Sequence, residues 1–298
     1  MTTLEGSDWS PVEERVDDVV SAARVAALHG LLDAPGDPPP LGAPLPLLWH
    51  WLAFLPTASQ AALGVDGHPR RGGFLPPVTL PRRMFVGGRL SAATEGGLTV
   101  GEPLRRRGIV SGVRSTSGRS GELVFVTVDY QVTGTAGMVG ERQDLVYRPA
   151  PPSSPAPASP SPASASHAAP PPANPGPDDP TWVWGIDLAV EPTLLFRFSA
   201  LTYNAHRIHY DRRWATEVEG YPGLVVHGPL QAVGLAELCR RYAPERRLCE
   251  FEFRAVSPAF DDGPLRLRGR PGEDEGSVAL EAFDHRGATT MTATGSLA

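Results

Sequence analysis

LTYNAHRIHYD (201–211) and YPGLVVHGPL (221–230) bring three histidines and a helix start within 30 residues of one another. In the second stretch Pro229 sits where the first helical residue belongs, so a helix is expected over 229–242. Leu230, Val233, Leu235, Leu238 and Cys239 give it an apolar face. Downstream, the runs 248–258, 263–271, 276–285 and 287–297 read as strands separated by turns. Upstream, Trp182 to Phe198 reads as further strand material. A polar loop, one helix and a β meander thus make up the second part of the chain.

The first part is separated from it by a biased segment. Between Ala150 and Pro180, 12 of 31 residues are proline, and the rest are Ala, Ser, His, Asn, Gly and Asp. Nothing there can build a core, so a solvated, disordered, semi-extended linker is expected over 150–180. It accounts for much of the total of 33 prolines in 298 residues and leaves units of 1–149 and 181–298. The two units share three matches in the same order. PLRRRG (103–108) answers PLRLRG (264–269), LVFVTVDYQ (123–131) answers VALEAFDHR (278–286), and GFLPPVTL (73–80) answers GLVVHGPL (223–230). Ordered matches of this kind imply a duplicated domain. Within the first unit, residues 11–32 read as an amphipathic helix opened by Ser10-Pro11 and Glu13, and 44–63 as a short tryptophan-rich helix. The segments 85–93, 98–115, 122–134 and 138–148 read as strands.

Composition removes whole classes of chemistry. All 27 basic residues are arginine, which excludes lysine Schiff bases and phosphate-loop lysines. A net charge of -6 disfavours a broad nucleic-acid surface. Two cysteines, Cys239 and Cys249, cannot form a disulfide framework. No apolar run approaches the roughly 18 residues of a membrane span, and Met1 to Ser10 lacks a basic leader region, so a cytoplasmic protein is expected.

The polar loop admits three readings. His206, His209 and His227 could by count hold a metal, but HxxH comes here without HExxH or paired cysteines. They could be ordinary structural histidines. They could also be an acid/base site, since imidazole takes and returns protons near neutral pH. Gly228 precedes the helix directly, so its N–H and the helix dipole suit an oxygen that becomes negative.

The N-x-H-R-I-H-Y-D loop followed by Y-P-G-L-V-V-H-G-P resembles the MaoC-like, type 2 enoyl-CoA hydratases and dehydratases. The stretches 48–90 and 196–211 are similar to the two-hot-dog 3-methylfumaryl-CoA (mesaconyl-CoA) hydratases. The resemblance implies an α+β double hot-dog in which each curved antiparallel sheet wraps a helix, with the first half degenerate. It implies reversible addition of water to an α,β-unsaturated acyl-CoA, the second half being catalytic. In the motif D-x-N-P-x-H, His209 aligns with the histidine, whereas Asn204 stands where the family has aspartate. An amide can orient a water but cannot shuttle a proton.

The resemblance therefore implies His209 as the base, Asn204 as a water holder and Gly228 as the oxyanion donor. His206 and Asp211 are supporting candidates. Arg82, Arg83, Arg207, His227 and Tyr203 are candidates to bind substrate, and Arg105, Arg106, Arg254 or Arg270 to meet the CoA phosphates. Trp49, Trp51 and Phe54 are read as core ahead of pocket lining, and Glu237 as exposed or ion-paired. Pro77 and Val78 stand where His227 and Gly228 would be, so the first half is expected to be scaffold and acyl-pocket wall. No metal or cofactor is expected, CoA being part of the substrate, and the chain is expected as a monomeric double hot-dog or a homodimer. The alternatives are a 3-hydroxyacyl-thioester dehydratase on fatty acyl or polyketide-like substrates, a thioesterase, and an acyl-CoA-binding module.

Overall fold

The computed structural model describes residues 9–92, 97–118, 121–149 and 175–298. Ten strands form one continuous antiparallel sheet. In chain order they are β1 (Glu14–Val19), β2 (Arg82–Ala92), β3 (Pro103–Gly118), β4 (Gly121–Thr133) and β5 (Met138–Arg148), then β6 (Trp184–Leu188), β7 (Leu248–Ala255), β8 (Leu265–Pro271), β9 (Ser277–Phe283) and β10 (Thr289–Leu297). The spatial order is β1-β3-β4-β5-β2-β7-β10-β9-β8-β6. Counted from its own first strand, each half has the order 1-3-4-5-2, and the halves meet strand 2 to strand 2. The repeated peptides obey this symmetry: PLRRRG lies in β3 and PLRLRG runs into β8, while LVFVTVDYQ lies in β4 and VALEAFDHR begins in β9.

The seam is the β2–β7 ladder, with Leu90 opposite Phe251 and Gly88 opposite Phe253. Leu90 and Phe251 are fully buried. Gly88 is required there, because a Cβ would lie 2.6 Å from the Arg142 carbonyl and 3.1 Å from the Phe253 ring. At the outer edge, an acidic strand pairs with an arginine strand. Asp17 takes Arg105 and Glu14 takes Arg106 across β1–β3.

Among the described residues three α-helices complete the fold: α1 (Ala22–Leu31), α2 (Pro192–Thr202) and α3 (Gly228–Tyr242). Helix α3 packs against all five strands of the second half. Its inner face, including Leu230, Val233, Leu235 and Leu238, joins the strand residues Phe251, Leu267, Leu280 and Met291 in one core. No comparable helix crosses the first-half sheet among the described residues. Where α3 has its counterpart, GFLPPVTL runs directly into β2. Prolines 76, 77 and 81 leave no run of backbone donors from which a helix could grow.

Several expectations need correction. The helix expected over 11–32 is a strand followed by a helix. Residues 14–19 alternate in burial at the period of two, and Ser21 then caps α1 by accepting from the Arg24 N–H. The helix expected over 44–63 is two 3-10 turns, Trp49–Leu52 and Gln60–Ala62. The strand expected over 182–198 is β6 followed by α2, with Pro192 in the first turn of that helix. Of the expected linker, 150–174 lies outside the described residues. Residues 175–180 are docked on β8 through Arg268 Nε to the Pro177 carbonyl (2.8 Å) and Arg266 to Asp178 (3.2 Å).

Leu90→Ala at the seam is expected to cost about 2–5 kcal/mol of unfolding free energy. Urea denaturation followed by tryptophan fluorescence measures this.

Candidate active site

The chemistry sits where two loops from opposite halves meet. Helix α2 stops because Tyr203 turns left-handed (φ 51°), and the Asn204 N–H closes the turn on the Ser199 carbonyl at 2.8 Å. The Asn204 Oδ1 then accepts from the His206 N–H at 3.0 Å, which starts the 3-10 turn Arg207–His209. Arg207 donates to Asp211 at 2.6 Å, and the other Asp211 oxygen accepts from the Trp214 N–H. Val225 returns alongside, its N–H donating to the Ile208 carbonyl.

This packing fixes His209. It is buried, and its Nδ1 lies 2.7 Å from the Val225 carbonyl oxygen. A carbonyl only accepts, so Nδ1 carries the proton and Nε2 keeps its lone pair. Burial pushes the His209 pKa down to about 4, against the backbone hydrogen bond, which raises it. His227 stacks on His209 with ring centroids 3.7 Å apart. Its Nε2 meets Ser199 Oγ at 2.8 Å, and burial keeps its pKa well below the ordinary value. His227 therefore acts as an uncharged wall that holds His209. Gly228 opens α3, so its N–H has no intrahelical acceptor. A Cβ there would lie 3.5 Å from the Phe85 ring, in the cleft between β2 and the helix end.

The second loop comes from the first half. Gly67 (φ 89°) lies so close to the histidine loop that a Cβ would sit 1.8 Å from the Ala205 carbonyl oxygen. The Arg207 N–H donates to the Asp66 carbonyl at 2.9 Å, which locks the two loops together. His68 thereby lies against His206, ring centroids 4.0 Å apart, and His206 meets the edge of His209 at 5.4 Å. Asp66 accepts from His68 Nδ1 at 3.1 Å. Burial opposes the charge on Asp66, but the His68 hydrogen bond holds its carboxyl below the usual range. Burial, then the nearby Arg83 charge, lowers the His68 pKa; burial, then His68 and His209, push His206 down to about 2.

Donor atoms of Asp66, His68 and His206 lie within 4.8 Å of one another, a spacing that a cation site would need. The Asp66–His68 hydrogen bond and the His68–His206 ring contact bring these atoms together, and the Arg83 charge lowers the pKa of both imidazoles.

The arginines expected from the sequence separate clearly. Arg207 is paired with Asp211 and lies over the Trp214 ring, and Arg82 is paired with Glu219 at 2.8 Å over the Tyr221 ring. Arg83 lines the cleft, and its guanidinium has no hydrogen bond or ion pair among the described residues. Asp211 is spent on Arg207 and on capping a turn. Tyr203 is exposed at the cleft mouth. Arg105 and Arg106 are paired across β1–β3, Arg270 lies over Trp182, and Arg254 is exposed at the cleft. Glu237 is buried, not exposed, and pairs with Arg240 and Arg241.

The cleft is about 3460 Å³ and is lined by both halves, room for the nucleotide arm of a CoA as well as an acyl group. Its first-half floor is polar. Glu141 accepts from Trp51 Nε1 (2.8 Å) and Gln143 (2.6 Å) and meets His50 Nε2 at 2.8 Å. Burial raises the Glu141 pKa, but these partners more than offset it and leave it lowered. Trp49 and Phe54 are core, whereas Trp51 lines the cleft edge-on to Phe85 and Phe253. The first half thus lines the cleft with Asp66, His68 and Arg83, and places His68 against the histidine loop. Asp66 and His68 escaped the sequence reading. The one local departure at the site is Asn204, which stands where the family motif has an aspartate.

Residues 48–261 match the Hydroxyacyl-thioester dehydratase type 2 family. The chain belongs to that family. It is 45% identical over 299 aligned positions to Mesaconyl-C(4)-CoA hydratase of Chloroflexus aurantiacus, covering 99% of this chain and 98% of the relative. Its fold is that of HtdX from Mycobacterium tuberculosis (TM-score 0.62, 15% identity, 95% of this chain and 99% of the other). A second Mycobacterium tuberculosis protein, with a double hotdog fold, superposes over 97% and 96% of the two chains (TM-score 0.52, 14% identity). The α+β double hot-dog is therefore the architecture of this type 2 dehydratase, with both sheets fused and only the second half wrapping a long helix.

In this family member the neutral form of His209 should persist down to about pH 4. The rate of any reaction that uses Nε2 as base should rise with pH through about 4 and be level across 6.5. A pH–kcat/KM profile, which reads the free enzyme, checks this, and a limb near 6.5 would contradict it.

Proposed function

We propose that this protein is a hydro-lyase that reversibly adds water to an α,β-unsaturated acyl-CoA with a branched C5 dicarboxylic acyl group, the 3-methylfumaryl (mesaconyl-C4) thioester. The observation that carries the reading is the juxtaposition of His209, its Nε2 lone pair set free by the Val225 hydrogen bond, with the N-terminus of α3. His209 takes a proton from water as the oxygen bonds to the β-carbon. The π electrons move toward the thioester oxygen, which the Gly228 N–H and the helix dipole stabilise. The imidazolium returns the proton to the α-carbon, so the enzyme ends as it began. Reversal gives dehydration. Asn204 supports the loop through its side-chain oxygen, and its amide hydrogens remain to hold water or thioester.

The acyl class rests on Arg83. In a 3-methylfumaryl thioester the free carboxylate and the methyl group both sit on the β-carbon that water attacks. A cation for that carboxylate must then lie in the same cleft, and Arg83 lines it, its charge felt at His68 and His206. A fatty acyl chain would instead meet the polar floor of Glu141, His50 and Gln143 and the ring cluster of Trp51, Phe85 and Phe253. The C. aurantiacus relative carries the name of this activity. The chemistry requires no metal or cofactor beyond the CoA of the substrate. Two buried free thiols suit a reducing cytoplasm, and no helix of the described residues is long and apolar enough to cross a membrane.

Loss of the conjugated thioester absorbance should be fastest with mesaconyl-C4-CoA in a panel that includes itaconyl-CoA, crotonyl-CoA and a long-chain enoyl-CoA. Arg83→Met should lower kcat/KM for mesaconyl-C4-CoA by about 10–100-fold, the worth of a charged hydrogen bond, and lower crotonyl-CoA turnover much less. A wild-type preference for the long chain would favour the fatty acyl dehydratase reading instead.

A further inference from the structure

The acid/base inventory of the catalytic half is incomplete. A water that adds across a double bond has two hydrogens, and the second half offers one locked lone pair, Nε2 of His209. Asn204, at the position where the family motif has a carboxylate, has its oxygen committed to the His206 N–H. The first half supplies a better candidate.

We propose that His68, held by Asp66, is the second catalytic residue of the site, accepting through Nε2 the hydrogen of the attacking water that His209 does not take. The inference rests on the hydratase reading above. Three observations support it. The Asp66 carboxylate only accepts, so its 3.1 Å contact places a proton on His68 Nδ1 and leaves the Nε2 lone pair bare, the tautomer that Val225 imposes on His209. The His68 backbone N–H also donates to Asp66 at 3.1 Å, so the pair forms one closed turn with little freedom. The loop cannot drift away, because Gly67 touches the Ala205 carbonyl and Arg207 holds the Asp66 carbonyl. Burial and the Arg83 charge keep His68 uncharged, which preserves its lone pair.

The balance is simple. One O–H bond of the water breaks and its proton passes to His209 Nε2, then to the α-carbon. The other O–H stays intact, accepted by His68, and becomes the hydroxyl of the product. In dehydration His68 accepts that hydroxyl hydrogen and orients the leaving oxygen toward His209. Arg83, which lines the same cleft and whose charge is felt at His68, holds the carboxylate on the same carbon. The site is thus composite: the oxyanion donor and proton shuttle come from the second half, the water orienter and carboxylate cation from the first.

The test separates the two nitrogens of His68. His68→Asn keeps an N–H for Asp66 and deletes the acceptor at the Nε2 position, whereas His68→Gln places an amide oxygen near it. On mesaconyl-C4-CoA, His68→Asn should lose about a hundredfold or more in kcat with KM within about threefold. His68→Gln should recover about tenfold of that loss. Nitrogen-15 NMR of the histidine-labelled full chain should show His68 protonated on Nδ1, and Asp66→Asn should shift the proton to Nε2 with a matching loss of kcat. His68→Asn turnover within threefold of wild type would overturn the proposal, as would a resting proton on Nε2. Chelator-sensitive activity restored by zinc would also overturn it, making the cluster a metal site. A wild-type chain inert toward every enoyl-CoA would refute the hydratase reading itself; an active wild type with an equally active His68→Asn would refute this assignment alone.

Discussion

Everything at the site depends on the antiparallel pairing of β2 with β7. That ladder turns two five-stranded sheets into one ten-stranded sheet and sets the halves in a fixed relation. Loop 63–68, ahead of β2, and loop 204–209, ahead of α3 and β7, are thereby delivered to the same place. Backbone contacts at Gly67 and Arg207 then lock the loops to each other. A slip of one residue in that ladder would turn Leu90 and Phe251 out of the core. It would also separate the histidines of the two halves.

The site is a desolvated cluster of uncharged imidazoles. His68, His206, His209 and His227 are all pushed below the ordinary histidine range, with burial as the largest cause in each. Such groups are useful as lone pairs and poor as resting cations. The fixed positive charge is supplied separately, by Arg83 and by the N-terminus of α3. This division suits a reaction in which a neutral water is deprotonated while negative charge grows on a thioester oxygen. It also explains why a lysine-free chain loses nothing here, since a guanidinium stays protonated beside such histidines and fits a carboxylate by its fork geometry.

Much of this was legible in the sequence. The duplicated order of PLRRRG and PLRLRG marked equivalent strands, and the N-x-H-R-I-H loop before H-G-P marked the site. The misreadings have physical causes. Val12, Val16 and Val19 fit a helical period, yet ERVDDV also alternates, and two of its acidic residues, Glu14 and Asp17, are taken by arginines of β3, a pairing visible only in three dimensions. Trp49, His50 and Trp51 looked like a helix but form a single 3-10 turn, tied to β5 by His50 and Trp51 on the Glu141 carboxylate. Asp66 and His68 lie 138 or more positions before His206. No local pattern reports a partnership made by a loop crossing from one half to the other.

The most direct measurement is a crystal structure with the hydrated product, citramalyl-CoA, bound. The account predicts the product hydroxyl within about 3 Å of both His209 Nε2 and His68 Nε2, the thioester oxygen on the Gly228 N–H, and the free carboxylate on Arg83. A thioester oxygen turned away from α3, or a hydroxyl that reaches His209 while His68 faces elsewhere, would contradict it.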